Sequence, residues 1–272
     1  MMQQIEFDFT DCQRWRHRRP SYRPAGEVIN PARHAVESID ELTAKRYVVE
    51  HHYSGTYPAS RVRCGLFRKP PFERERLVGV AVFSVPPQPR ALPAYFGALA
   101  DGAELGRFVL DDEVEGNGET WFLRRAFRVL RQEKPAVEAV LSYCDPVERV
   151  SAAGVVVKPG HTGEIYRAHN ACYFGRNKGR TLLIAPDGRC LSRRSLSKLL
   201  VEDRGWRGVC AMVEAMGGPR RAPEESGESY HRRVLASGAF RPLRHPGNHV
   251  WGWAFEPALS LFVHQRPFRR AA

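Results

Sequence analysis

ELGRFVLDDEVEGNGETWFLRRAFRVL, residues 104–130, is the stretch on which the fold turns. Leu105, Phe108, Val109 and Leu110 make an apolar run of strand length. Gly116 and Gly118 flank Asn117 where the chain must turn, and a helix opens directly behind. In that helix Leu123, Ala126, Phe127 and Leu130 fall at i, i+3, i+4 and i+7, while Arg124, Arg125, Arg128 and Arg131 take the other side. A strand, a glycine-bearing turn and a helix N-terminus in succession gather unpaired N–H groups and a positive dipole end, a cradle for a phosphate or an acyl donor. The helix has one face to bury and one basic face to present.

Upstream, residues 12–30 carry Pro20, Pro24 and Gly26 with no usable period and read as a basic arm, which lies on DNA or is a solvated lead-in. HAVESI, from His34, reads as a strand. Ser38 with Glu41 three residues later is a capping-box pattern for a helix from Glu41 to Tyr53, which stops near Ser54-Gly55. Residues 61–68 and 77–85 follow as strands, the second apolar on both faces as in a central strand. Residues 86–99 hold too many prolines for a sheet interior and form a loop or short helix. Downstream come a buried strand at 137–146, a short helix over 163–170 running into a strand through Tyr173 and Phe174, and a hairpin around Asp187-Gly188. Two short helices separated near 203–205 resemble a helix-turn-helix only loosely. Residues 219–229 read as mobile, and RHPGNHVWGWAF (244–255) ends in an aromatic strand. The fold class is α+β: a mixed central sheet flanked by helices, with a basic α/β C-terminal extension. The expected division is an arm at 1–33, a catalytic core at 34–180 and a basic region at 181–272.

Composition narrows the class of partner. The 272 residues, 43% hydrophobic, suffice for a sizeable core. No apolar run approaches the roughly 18 residues of a membrane span, and the first residues lack the apolar stretch of a secretory signal, so a cytosolic protein is expected. Six scattered cysteines without a C-x-x-C pair argue against a zinc ribbon or a disulfide framework. The net charge of +12 divides as +1 over residues 1–30, +4 over 31–180 and +7 over 181–272, so the C-terminal third suits nucleic acid. Arginine outnumbers lysine 36 to 6, which base composition explains as readily as phosphate binding. There is no internal repeat, P-loop, dinucleotide fingerprint or G-x-S-x-G elbow.

Several polar groups emerge where strands and helices end. His51, on the apolar helix face, is a core histidine or a functional one; His52 or Tyr53 is the better acid or base, with Ser54 beside them. Ser142, Tyr143 and Asp145 leave the end of a buried strand, although Asp145 before Pro146 also suits an ordinary turn. His245, Asn248 and His249 stand at the mouth of the aromatic strand. Pro246-Gly247 make a helical metal pair unlike this segment, so backbone or nucleic-acid contacts suit them better.

The order of elements resembles the GNAT acyltransferase fold, in which the turn and helix N-terminus after a central strand hold a pyrophosphate. Here the usual R/Q-x-x-G-x-G/A loop is replaced by EVEGNGET (113–120), which puts ordinary acetyl-CoA chemistry in doubt. A narrower resemblance rests on EHHYSGTYP (50–58), ELGRFVLDDEV (104–114), LSYCDPVER (141–149), PGHTGEIYRAHNACYFGR (159–176) and RHPGNHVW (244–251). In this order they are similar to the Mom family of bacteriophage DNA-modification proteins, over nearly the whole chain from about residue 13 to 265.

That resemblance implies conversion of adenine in DNA to N6-(carbamoylmethyl)adenine, which shields DNA from restriction, in a bacterial host cytoplasm. It implies double-stranded DNA and an activated glycine, free or carrier-bound, as partners, and leaves a homodimer open. His52, Tyr53, Ser54, Arg107, Ser142, Asp145 and Tyr166 are then the catalytic candidates, with Phe108, Val109, Asn117 and Gly118 on the donor. Arg124, Arg128, Arg193, Arg194, Lys198, His245, Asn248 and His249 are the DNA candidates, and Tyr57, Tyr95 and Phe96 would stack on a flipped base unless they pack in the core. A metal ion through His51, His52 and Asp145 stays open, with no spacing that requires one. The rival readings are a GNAT N-acyltransferase of a small amine or protein, and a non-catalytic DNA-binding protein on the same scaffold.

Overall fold

The computed structural model describes residues 12–16, 19–23, 26–86 and 88–256. These residues form two compact units: one takes in the chain up to Cys144, Thr162–Gly175 and the chain from His249; the other takes in Asp145–His161 and Arg176–Asn248. The second unit thus draws on a segment well before residue 180.

The first unit begins with an antiparallel pair, β1 (Cys12–Arg16) and β2 (Arg19–Arg23), where the sequence predicts an arm without period. After a 3-10 turn at Pro31–Arg33 come β3 (His34–Ser38), α1 (Glu41–His51), β4 (Ser60–Arg68) and β5 (Arg76–Ser84). The helix cap is Asp40, whose carboxylate accepts the Thr43 N–H at 2.9 Å; Ser38 instead stays in β3, paired with Cys64. His52 is already extended, so α1 ends before Tyr53. A one-turn helix, α2 (Pro93–Phe96), leads to β6 (Asp101–Leu110), α3 (Gly118–Glu133) and β7 (Val137–Cys144).

Next are β8 (Arg149–Val150) and β9 (Val156–Lys158), a small pair that no sequence pattern announces, then α4 (Glu164–Ala168) and β10 (Cys172–Arg176). The second unit continues with β11 (Arg180–Ile184), β12 (Cys190–Leu191), α5 (Arg193–Val201), α6 (Trp206–Ala215), α7 (Gly227–Ala236) and β13 (Arg241–His245). β14 (His249–Ala254) returns to the first. Ser226 caps α7 through the Ser229 N–H, and Arg233 pairs with Glu225, so part of the stretch expected to be mobile is tied into a helix start.

The main sheet has seven strands in the order β10-β14-β7-β6-β5-β4-β3. β3 to β6 are antiparallel neighbours, β6 and β7 run parallel, and β7 and β14 are antiparallel. α1 lays Ala44, Tyr47 and Val48 on Val80, Val82 and Val109, while α3 lays Phe122, Leu123, Ala126, Phe127 and Leu130 in a larger cluster with Cys64, Leu66 and Phe83. β5 is therefore apolar on both faces because helices cover both. In the second unit, β12-β11-β13 and the three helices enclose a separate core around Leu199, Val213, Tyr230 and Val234.

Gly163 precedes α4 with φ at +92°, and a Cβ there would lie 2.5 Å from the Trp251 indole nitrogen and 2.8 Å from Cys144 Sγ. Gly163→Ala combines an unfavourable backbone region with a clash, so a loss of about 1–3 kcal/mol in urea unfolding is expected.

Candidate active site

The two parallel strands at the centre of the sheet do not stay together. They pair from Asp101 opposite Val137 to Glu104 opposite Leu141. Beyond that, β6 continues against β5 as far as Leu110, and β7 continues against β14 as far as Cys144. The result is a fork whose inner edges are not paired to each other.

A register shift in β6 sets the chemistry of this fork. Val82 faces Arg107 and Phe83 faces Leu105, which leaves Gly106 as an extra residue. A Cβ on Gly106 would come within 2.5 Å of Ser84 Oγ, so a larger residue there requires that hydroxyl to move. The extra residue puts Glu104 and Arg107, three apart, on one side of the strand. Glu104 is partly buried, and its Oε2 is closed off from solvent without a hydrogen-bond partner. Burial pushes its carboxyl up to about 7, against the opposing pull of the Arg107 charge. Arg107 is anchored by the loop after α1: its Nε donates to Thr56 O at 3.0 Å and a terminal nitrogen donates to Thr56 Oγ1 at 2.8 Å. Burial lowers the guanidinium pKa, while Tyr53 and Glu104 oppose that shift.

Hydroxyl groups line the rest. Ser142 Oγ donates to Leu105 O at 3.1 Å, a stitch across the start of the fork. Tyr166, delivered by α4, is buried beside Ser142, and burial holds its phenol strongly protonated. Tyr143 is also raised, first by burial and then by the Glu104 charge. His52 Nδ1 accepts the Ser54 backbone N–H at 3.2 Å, so a neutral ring carries its proton on Nε2. That ring lies on Tyr53 with centroids 4.2 Å apart. Tyr53, Arg107, Ser142 and Tyr166 therefore share one electrostatic neighbourhood with Glu104, a residue that sequence reasoning passed over.

The donor candidates look different. Val109 is buried, and Phe108 stacks on Phe122 with centroids 5.4 Å apart, so both side chains serve the core. Asn117 takes a left-handed conformation and Gly118 N–H is spent on Glu115 O. Gly116 N–H donates to Glu27 O, and Ile29 N–H donates to Gly116 O, each at 2.9 Å. Glu119, in the first turn of α3, pairs with buried Arg14, whose remaining N–H groups reach Val114 O and Asp111 O. An anion arriving here meets two glycine N–H groups already taken and a carboxylate in the first helical turn. With the Gly116 and Gly118 N–H groups taken, the donor set of this turn does not match a pyrophosphate cradle.

The other candidates fall into packed settings. Phe96 is fully buried and Tyr95 packs on Phe174, while Tyr57 borders the α1 cluster. His51 lies on Tyr47 with centroids 4.5 Å apart. His249 is buried and bonded through Nδ1 to Tyr173 Oη at 2.7 Å. In the second unit, Asp145 accepts from Val147 N–H at 3.0 Å, bonds His245 Nε2 at 2.8 Å and lies 3.4 Å from Lys158 Nζ. Burial would raise this carboxyl, but Lys158, His245 and the Val147 N–H together hold it below the usual range. His245 is buried, and Asn248 exchanges backbone and side-chain bonds with Asn177. Arg193 and Arg194 are exposed in the first turn of α5, and Lys198 is half-buried one turn on. Among the described residues, no three His, Cys, Asp or Glu side chains gather as a metal site, and no helix is long and apolar enough to cross a membrane.

Antiparallel strands leading into a parallel pair that forks, with helices on both faces, make this an α+β protein built on a mixed seven-stranded sheet. Residues 33–209 match the Mom protein family, and the chain belongs to that family of phage DNA-modification proteins. Among solved structures it is similar to a tandem GNAT protein from the clavulanic acid biosynthesis pathway, at 8% identity and a TM-score of 0.39, over 82% of this chain and 99% of that one. Comparison with curated proteins finds no match.

Proposed function

We propose that this protein converts the N6-amino group of adenine in DNA to an N6-carbamoylmethyl group, with the fork between β6 and β7 as its active site. The observation that carries the reading is Glu104, a carboxyl poised near 7 beside a fixed guanidinium. The adenine amine is a poor nucleophile, because its lone pair is drawn into the ring. A base must take its proton as the new bond forms, and a carboxylate whose pKa lies near the working pH suits that role.

The chemistry balances in two stages. The amine attacks the carbonyl of an activated glycine, Glu104 takes the amine proton, and the donor's leaving group departs with the bonding electrons. Arg107 supplies positive charge near the developing oxyanion, and Ser142 and Tyr166 orient the amine. The free glycyl amine then attacks C6 through a five-membered spiro intermediate, and the old C6–N6 bond breaks. The product is C6–NH–CH2–CO–NH2, an isomer of the glycyl adenine. A target base inside a duplex must first leave the stack. The modified DNA would resist restriction.

Mass spectrometry of nucleosides from plasmid DNA in cells expressing the chain tests the class: an adenosine heavier by one carbamoylmethyl group is expected, and unmodified DNA with well-expressed protein overturns the reading. Isotope tracing tests the route. With 15N on the exocyclic nitrogen, the label must finish in the terminal amide; label kept on the ring-attached nitrogen rules the rearrangement out.

A further inference from the structure

The basic flank of α3 is concave, and this gives it more meaning than a row of solvated charges. Arg124, Arg128 and Arg131 stand one turn apart along the helix, and with Phe127, His169 and Phe255 they line an open pocket of about 500 Å³. All of these residues belong to the first unit. The floor is aromatic: His169 meets Phe127 edge-on at 5.3 Å and Trp253 at 6.0 Å, and Phe255 packs against Phe127 at 5.4 Å. Such a floor limits how far water can screen the charges above it.

The charge has little internal counterweight. Neither Arg124 nor Arg128 has an acidic partner among the described residues, and the nearest pairing of Arg131 is Glu256 at 3.9 Å. The acid at the start of the helix, Glu119, is buried and already paired with Arg14. Arg124 also acts on His169, whose imidazole is driven toward its neutral form by burial and by that neighbouring charge. Like charges held together at the rim of a pocket repel, and a bound anion relieves the repulsion. Three guanidinium forks spaced along one helix suit oxygens arrayed along a strand.

We infer that the pocket of Arg124, Arg128 and Arg131 holds backbone phosphates of the DNA substrate and positions the duplex relative to the active site. The inference rests on the reading that DNA is the substrate. It separates these arginines from those at the start of α5, which belong to a different unit.

Fluorescence anisotropy with a duplex oligonucleotide across a salt series tests it on the full chain. Arg124→Ala/Arg128→Ala should weaken binding about tenfold, and the slope of log K against log salt should become shallower by about 1.8, the signature of two lost phosphate contacts. Arg124→Lys/Arg128→Lys should restore most of the slope, because each ammonium still neutralises a phosphate. Both positions are exposed, so a far-UV spectrum like that of the parent is expected. A double alanine variant with parental affinity and slope overturns the inference, as does a parent chain that does not bind duplex DNA. DNA binding through these residues with no modified adenosine leaves the pocket standing and removes only the proposed reaction.

Discussion

Glu104→Gln should abolish nearly all of the proposed modification while making the protein more stable at neutral pH. Removing a general base costs about 10²–10⁴ in rate. In the parent, kcat/KM should rise with pH through about 7 as Glu104 ionises, and the glutamine variant should lose that limb. The stability effect runs the other way. A carboxyl near 4.5 when unfolded and about 7 when folded binds more protons in the native state between those values. Stability therefore falls as pH rises from about 4.5 to 7, by about 3 kcal/mol on an order-of-magnitude basis, and the penalty stays in place above that window. Glutamine keeps the shape and never ionises, so its unfolding free energy should lack this decline. Chemical denaturation at pH 5 and pH 8, with nucleoside analysis, reads both effects. A variant that is both less active and less stable at pH 8 would point to a packing role instead.

Asp145→Ala is the second large effect, and it should be a folding defect. The substitution strips a counter-charge from Lys158, which is 1% exposed, and a hydrogen-bond partner from buried His245. Breaking a buried charge pair by removing one member costs about 3–5 kcal/mol. The depressed carboxyl contributes stability above its unfolded value of 3.8, and that contribution disappears as pH falls through its lower folded value. Urea unfolding at pH 7 measures the loss directly. If Asp145 instead acts on substrate, the alanine variant will unfold like the parent and fail only in modification.

The physical signals explain what could be read from residues alone. In α3 the apolar spacing of Leu123, Ala126, Phe127 and Leu130 is long and strict, and all four are buried. The continuous apolar run in β5 identifies a strand covered on both faces for the same reason. Glu104 carries no such signal, because a single acid in a strand usually points to water. Only the extra residue at Gly106, invisible in spacing counts, brings it to the side of Arg107. A glutamate and an arginine three apart across a glycine inside an apolar strand is the clue to seek. The Arg14–Glu119 pair and the Glu27–Gly116 bonds join residues about ninety or more apart, a distance at which local patterns say nothing.

The fork has one arm whose support arrives late. Past Leu141, β7 is held by β14, and β14 lies more than a hundred residues further along the chain. During synthesis, α1, α3 and the antiparallel strands can assemble while this arm still lacks its neighbour, so closure of the sheet must wait for the second unit to emerge. Such long-range pairing is slow, and shortened chains ending before His249 would retain Glu104 and Arg107 yet leave their opposite wall without a partner strand. The order of synthesis, not a residue in the cleft, then sets when the fork is complete.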